Sequence, residues 1–333
     1  MWNTIGHDSA VALLRRSLDE GRLAHAYMIT GPRHLGKMTL AMDLARAVNC
    51  TASEWPCGEC AQCDRISRGL HTDVKIVEVD KDQVKSRVMI AIAQVREMQR
   101  EVSLAPFEGA SRVIIIDQAE RLSEEAANGL LKTLEEPPDQ VVLVLLAPDT
   151  GVMATTLSSR CQILELKRVS GATIVDALIR THGIDAPSAD QIARIARGRP
   201  GWAFRAAEDP EILEDLSNKL EELEEIVAGN IGERFAHAAG IASAFDRDRE
   251  AGRRDMDMWL DWWRDLMLVK AGTPEFMIHV SRLEPMRAAA AKLTAAQIAR
   301  TIAAIGETVS FLERNVNSRL ALEQLFLSLP RPR

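Results

Sequence analysis

With 333 residues, 47% of them hydrophobic and 27% charged, the chain has room for two or three domains with ordinary apolar cores. A net charge of −7 excludes a protein that grips nucleic acid through bulk positive charge, so any such contact is local or shared with partners. No apolar run reaches the roughly 18 residues of a membrane span, and Met1 to Asp8 carry neither the basic nor the apolar region of a signal peptide, so the expected location is the cytoplasm.

The first half alternates strand-like and helix-like segments, the pattern of an α/β domain with a mainly parallel sheet. Ala26 to Thr30 reads as the first strand. It runs into Gly31-Pro-Arg-His-Leu-Gly36-Lys37-Met38-Thr39, a phosphate-binding loop with one fault. In the intact pattern, backbone N–H groups cradle phosphates, the lysine reaches the outer phosphates, and a Ser or Thr after it ligates Mg²⁺. Met38 stands at that last position, and a thioether is a poor ligand for a hard cation. Thr39 does not replace it, because the next helical residue is rotated by about 100°. Leu40, Ala41, Leu44, Ala45 and Val48 recur at helical spacing and should pack on the sheet.

Cys57-Gly-Glu-Cys60-Ala-Gln-Cys63 follows, with Cys50 seven residues upstream. Four thiolates so close together can close a tetrahedral shell around Zn²⁺ and leave no open position for catalysis, which makes a structural zinc the expectation. An iron–sulfur cluster is the competing metal reading. His71 is not needed for a set of four, and Cys161 stands apart as a small apolar residue.

Further strands are expected at Val74–Val79, Val113–Ile116, Val141–Leu146 and Gln162–Leu166, the middle two nearly all aliphatic, as suits strands buried on both faces. The Val113 strand ends in Asp117, the carboxylate that would hold hydrated Mg²⁺, but Gln118 follows where ATPases of this type place a glutamate. A carboxamide cannot act as a base toward attacking water. Ser123 should cap a helix that turns Ala127, Leu130, Leu131 and Leu134 inward and stops at Pro137-Pro138. Ser159-Arg160-Cys161 precedes the last strand. Arg160 is either a solvated loop arginine or a guanidinium offered to a neighbour's phosphoryl group.

From about Val169 the chain reads as helical throughout. Ile174, Ala177, Leu178, Ile192, Ile195 and Ala196 suggest a small helical subdomain, closed by Gly198-Arg199-Pro200-Gly201. A second helical region opens with the acidic, leucine-bearing Glu211–Glu225, read as an amphipathic helix. In it Trp259, Trp262 and Trp263 share one helical stripe, read as packing and not as a ligand box.

Taken together, these motifs resemble the AAA+ clamp-loader subunits of bacterial DNA polymerase III, and among them the delta prime type. The resemblance covers nearly the whole chain. It rests on His25 to Pro32 leading into the loop, the module of Cys50, Cys57, Cys60 and Cys63, Arg112 to Glu120, Ala126 to Pro138 with its Leu-Glu-Glu-Pro-Pro ending, Ser159-Arg160-Cys161, and Asn315 to Glu323. It implies an AAA+ α/β module at 1–168 with a zinc-binding module at 50–63, an all-α lid at 169–208 and an all-α collar at 209–333. It further implies that Gly31, Gly36, Lys37 and Asp117 are remnants of a nucleotide site in which Met38 and Gln118 are lesions. The Leu146-Ala147-Pro148 strand end lacks the polar side chain that senses the γ-phosphate, and Gly201 aligns with the place where motor subunits put a lid arginine, with Arg199 two residues away as the alternative occupant of that place. ATP or ADP binding is therefore doubtful. The resemblance implies a subunit inactive in hydrolysis, with Arg160 as an arginine finger acting in trans on an adjacent motor subunit. The implied partners are gamma/tau-type motor subunits and a delta subunit in a hetero-pentamer, and through them the sliding clamp and primed DNA. An ATP-hydrolysing motor subunit of the same complex is the alternative, for which Lys37 and Asp117 argue. A zinc-dependent DNA-binding module is a third reading, opposed by Glu54 and Glu59 and the lack of any Lys or Arg between Cys50 and Cys63.

Overall fold

The computed structural model describes residues 1–79, 89–314 and 316–330; Asn315, where the last stretch of resemblance begins, lies outside the described residues. The chain divides into two compact units, one of Met1–Ala177 with Gly198–Trp202 and one of Leu178–Arg197 with Ala203–Arg333.

In the first unit the order is α1 (Asp8–Asp19), β1 (Ala26–Thr30), α2 (Lys37–Asn49), α3 (Ala61–Ser67), β2 (Val74–Val77), α4 (Ile92–Val102), β3 (Arg112–Ile116), α5 (Glu124–Glu135), β4 (Val141–Ala147), α6 (Thr155–Ser158) and β5 (Gln162–Glu165). The strands form one sheet in the order β2-β3-β4-β1-β5, every neighbouring pair parallel. The alternation of side chains along a strand explains its two-sided core. Met28, Ile114, Ile116, Leu143 and Leu145 face one cluster with Val95 and Met98 of α4 and Leu130 and Leu134 of α5. Tyr27, Ile29, Val113, Ile115, Val144 and Leu146 face the other, with Leu40, Ala41, Leu44 and Ala45 of α2. Every position of β1, β3 and β4 is buried, which is why β3 after Arg112 and all of β4 read as aliphatic runs.

Four strand limits differ from expectation by one or two residues: β3 begins at Arg112, β4 runs on to Ala147, and β2 and β5 stop early. β2 stops at Val77, whose O still accepts from Asp117 N at 2.9 Å, whereas Glu78 O accepts from the Gln94 side chain at 3.0 Å. β5 stops at Glu165, although Leu166 N still donates to Thr30 O at 2.8 Å. Ser123 caps α5 as its position suggested, its Oγ accepting from Ala126 N at 3.1 Å, and the helix ends two residues before Pro137-Pro138.

α7 (Gly171–His182) runs from the first unit into the second, followed by α8 (Ala186–Ala196), α9 (Pro200–Glu208), α10 (Glu211–Ala228), α11 (Ile231–Arg247), α12 (Arg249–Ala271), α13 (Leu283–Lys292), α14 (Ala295–Glu313) and α15 (Ser318–Ser328). Trp259, Trp262 and Trp263 are all buried in the second unit's core, and Trp259 stacks on Phe326 with ring centroids 5.3 Å apart. The tryptophan stripe is packing. Buried Arg234 of α11 donates to Ile226 O at 3.0 Å and Val227 O at 2.7 Å in the last turn of α10, and to Leu329 O at 3.0 Å and Pro330 O at 3.1 Å past the end of α15. One cation thus satisfies carbonyls at two helix ends, where the helix dipoles favour positive charge. No helix of the described residues is long and apolar enough to cross a membrane.

Candidate functional site

The glycine loop leaves the end of β1 and enters α2, whose N-cap is Gly36. Gly31 has φ +142°, and a Cβ there would lie 2.6 Å from Leu166 O, so only glycine fits. Its N–H is shared between Ala147 O at 3.2 Å and Pro148 O at 3.1 Å, so the end of β4 serves the loop through its backbone. Lys37 bends back onto the loop, its Nζ donating to Gly31 O and, at 3.0 Å, to Pro32 O. Burial pushes its pKa down, against the nearby charges of Glu120 and Asp117, which push it up. Met38 is half-buried and packs against the apolar cluster that holds Leu40 and Leu44, while Thr39 is exposed. No hydroxyl takes the magnesium position.

Across the loop, Gln118 has φ +52° and its Oε1 accepts from Arg33 at 3.4 Å. Asp117 Oδ1 accepts from the Gln118 N–H at 3.0 Å. Glu120, which the residue pattern did not single out, brings a carboxylate beside Lys37 whose Oε2 is buried without a hydrogen-bond partner; burial pushes its pKa up. Gly201 lies against the loop, its N–H donating to His34 O at 2.9 Å, and a Cβ at 201 would sit 3.1 Å from that same oxygen. A side chain at 201 would press on that carbonyl by a few tenths of an ångström. Gly31, Gly36, Lys37, Met38, Asp117, Gln118 and Gly201 therefore belong to one assembled loop region, in which a thioether follows Lys37 and a carboxamide follows Asp117, with the Glu120 carboxylate beside them.

Arg160 is elsewhere. It follows α6 and precedes Gln162, which pairs with Tyr27 near the start of β1, whereas the glycine loop leaves from the other end of that strand. Its guanidinium Nη1 donates to Thr156 O at 2.9 Å, and Nη2 pairs with Glu135 Oε1 at 2.6 Å. Neighbouring Cys161 is half-buried, and burial pushes its thiol up to about 11.

The four clustered cysteines converge, with all their Sγ atoms within 4.8 Å of one another. Cys50 and Cys60 are 3.9 Å apart and Cys57 and Cys63 4.0 Å, close to the roughly 3.8 Å edge of a tetrahedron with 2.3 Å Zn–S bonds. These residues fit a single four-coordinate ion, and a multi-iron cluster would spread its thiolates wider. The Cys57 N–H points at Cys50 Sγ (3.4 Å) and the Cys60 N–H at Cys57 Sγ (3.3 Å), the kind of donors that stabilise thiolates. Burial raises the Cys60 thiol, but donors from Thr51 and Cys63 outweigh it and bring it down to about 6; burial pushes Cys63 up to about 12.

This module is braced from behind. Gln62 Nε2 donates to Glu108 O at 2.7 Å, and Gln62 Oε1 contacts His71 Nε2 at 2.7 Å. His71 Nδ1 accepts from Asp73 N at 3.1 Å, so both ring nitrogens are engaged and His71 is no ligand. The buried Asp73 carboxylate accepts the N–H groups of Phe107, Glu108 and Gly109 at 2.8–2.9 Å and pairs with Arg112 at 2.9 Å. Burial would raise its pKa, but these donors hold it well below the usual carboxylate range. Asp73→Asn leaves Arg112 without its charge partner and should cost about 3–5 kcal/mol, measured by chemical denaturation at neutral pH. Because the folded-state pKa is depressed, the stabilisation is complete above the unfolded value of about 4 and fades as pH falls below it toward the folded value. The wild-type advantage over Asp73→Asn should shrink on acidification over that window.

Residues 6–170 match the family model described as DNA polymerase III, delta subunit. The chain is 28% identical to the DNA polymerase III subunit delta' of Bacillus subtilis over 318 residues, which is 95% of this chain and 94% of that one. It is 34% identical to the tau subunit of the same organism over 175 residues, covering 52% of this chain but only 30% of the relative. Among solved structures, a DNA polymerase III gamma subunit-related protein from Thermotoga maritima covers 97% of this chain and 99% of its own at 16% identity, with a TM-score of 0.49.

Proposed function

We propose, from the premise that this chain belongs to the DNA polymerase III clamp-loader subunits of the delta prime type, that it is the stator of that assembly. It helps load the sliding clamp onto primed DNA without hydrolysing ATP itself. The observation that carries this reading is the 318-residue relation to a delta' subunit, which runs through both compact units, whereas the tau relation covers half of the chain. In this account residues 1–168 are the AAA+ module, 169–208 the lid and 209–333 the collar that joins the subunits.

The loop region supports the loss of hydrolysis. A Met38 thioether packed in an apolar cluster cannot hold Mg²⁺, and the Gln118 carboxamide cannot accept a proton from water. The motor reading keeps two residues in its favour, Lys37 and Asp117. What survives is scaffold.

Arg160 supplies the trans contribution. Its position near the opposite end of β1 from the glycine loop suits delivery to a neighbouring subunit, where a planar guanidinium neutralises charge on the transferring phosphoryl group. Zn²⁺ held by Cys50, Cys57, Cys60 and Cys63 would be structural, since four sulfur ligands fill its tetrahedron. Gamma/tau-type motor subunits and a delta subunit complete a cytoplasmic hetero-pentamer. ATP in the motors tightens the ring and presents the delta subunit to the clamp, and hydrolysis releases the closed clamp on DNA.

The test is reconstitution of clamp loading from motor, delta and clamp proteins with and without this chain. Loading on primed DNA should depend on its addition. Full loading in its absence, or after replacing it with an additional motor subunit, would contradict the assignment.

A further inference from the structure

We propose that Glu135 is a positioning residue for Arg160, fixing the guanidinium in the pose from which it reaches a neighbouring subunit's nucleotide; this rests on the reading of Arg160 as a finger supplied in trans. The arginine is gripped from two sides. Nη1 donates to Thr156 O at 2.9 Å and to Ser159 Oγ at 3.4 Å, while Nη2 pairs with Glu135 Oε1 at 2.6 Å. Thr156 and Ser159 belong to the same short turn as Arg160 and follow any movement of it. Glu135 does not. It ends α5, which is anchored on the sheet by buried Ala126, Leu130 and Leu134, so this carboxylate ties the guanidinium to the rigid frame.

A long arginine side chain held only by its own turn samples many rotamers, and a finger must arrive with its plane set toward the phosphoryl group. Three acceptors use at most three of the five N–H donors of the guanidinium, leaving others for phosphate oxygens. The side chains of Arg160 and Glu135 are 36% and 51% exposed, so the pair is near water. An exposed ion pair shifts an equilibrium by up to about fivefold, enough to favour one orientation without locking it.

The experiment reconstitutes the assembly with wild type, Glu135→Ala, Glu135→Gln, Arg160→Ala and the double variant Glu135→Ala with Arg160→Ala, and measures steady-state ATP turnover with clamp and primed DNA. The turnover lost in Arg160→Ala defines the component that depends on the finger. Glu135→Ala should lower kcat in that component by about three- to fivefold with KM unchanged. Glu135→Gln, whose amide oxygen can still accept, should keep most of it, and the double variant should match Arg160→Ala. Turnover by Glu135→Ala at or above wild type would overturn the proposal alone, because the carboxylate would then be idle or holding the finger back. A further loss in the double variant would also overturn it, since Glu135 would act independently of Arg160. If Arg160→Ala itself is silent, the finger reading fails and this inference fails with it.

Discussion

Replacing Arg160 by alanine should lower hydrolysis at the adjoining motor site about 10³- to 10⁵-fold, the range found when arginine fingers are removed from phosphoryl-transfer sites. The effect is large because the guanidinium meets charge that develops only in the transition state, so its loss falls on kcat. ATP affinity at that site should change little. Among the described residues Arg160 makes half-exposed contacts with Glu135, Thr156 and Ser159, so the variant should fold as wild type does. Arg160→Lys should recover little, since an ammonium lacks the planar fork that reaches two phosphate oxygens. Single-turnover hydrolysis by the assembled complex, with clamp loading measured in parallel, checks both variants. Rates equal to wild type would remove the trans role.

Removing metal should have the second largest effect. Structural zinc sites of this type contribute about 10–16 kcal/mol of apparent binding free energy in small peptides, and the thiols here have little other reason to stay together. One zinc per chain should be released by chelation or by Cys60→Ser. Loss should spread beyond residues 50–63, because α3 is joined through Gln62 to Glu108 and His71, and through His71 to Asp73. The expected readout is a lower thermal midpoint together with increased amide exchange at Phe107 to Gly109, whose N–H groups Asp73 accepts. A chain that binds no zinc as purified, and keeps its midpoint in chelator, would contradict the structural-metal reading.

Much of this was legible in the residues because the signals are local. Ile114–Ile116 and Val141–Leu146 announce buried parallel strands by composition alone, the cysteine spacing announces convergence, and Met38 announces its lesion by position. The tryptophan stripe is core, as three large apolar rings on one helical face imply. What stayed hidden depends on partners distant in sequence. Asp73 looks like any acid before a strand until residues 107–112 fold over it. Glu120 is unremarkable until burial places its carboxylate beside Lys37, and Glu135 acquires meaning only when the α6 turn brings Arg160 to it. The early end of β2 likewise goes with a partner distant in sequence, since Glu78 O accepts from the Gln94 side chain sixteen residues on.

The central claim is that a phosphate-binding loop has been kept as architecture after losing its catalytic parts. The most direct measurement is Mg²⁺-dependent ATP turnover by the purified chain without partners. The account predicts a rate no higher than the enzyme-free blank at saturating ATP. Sustained hydrolysis that disappears on Lys37→Ala would contradict it.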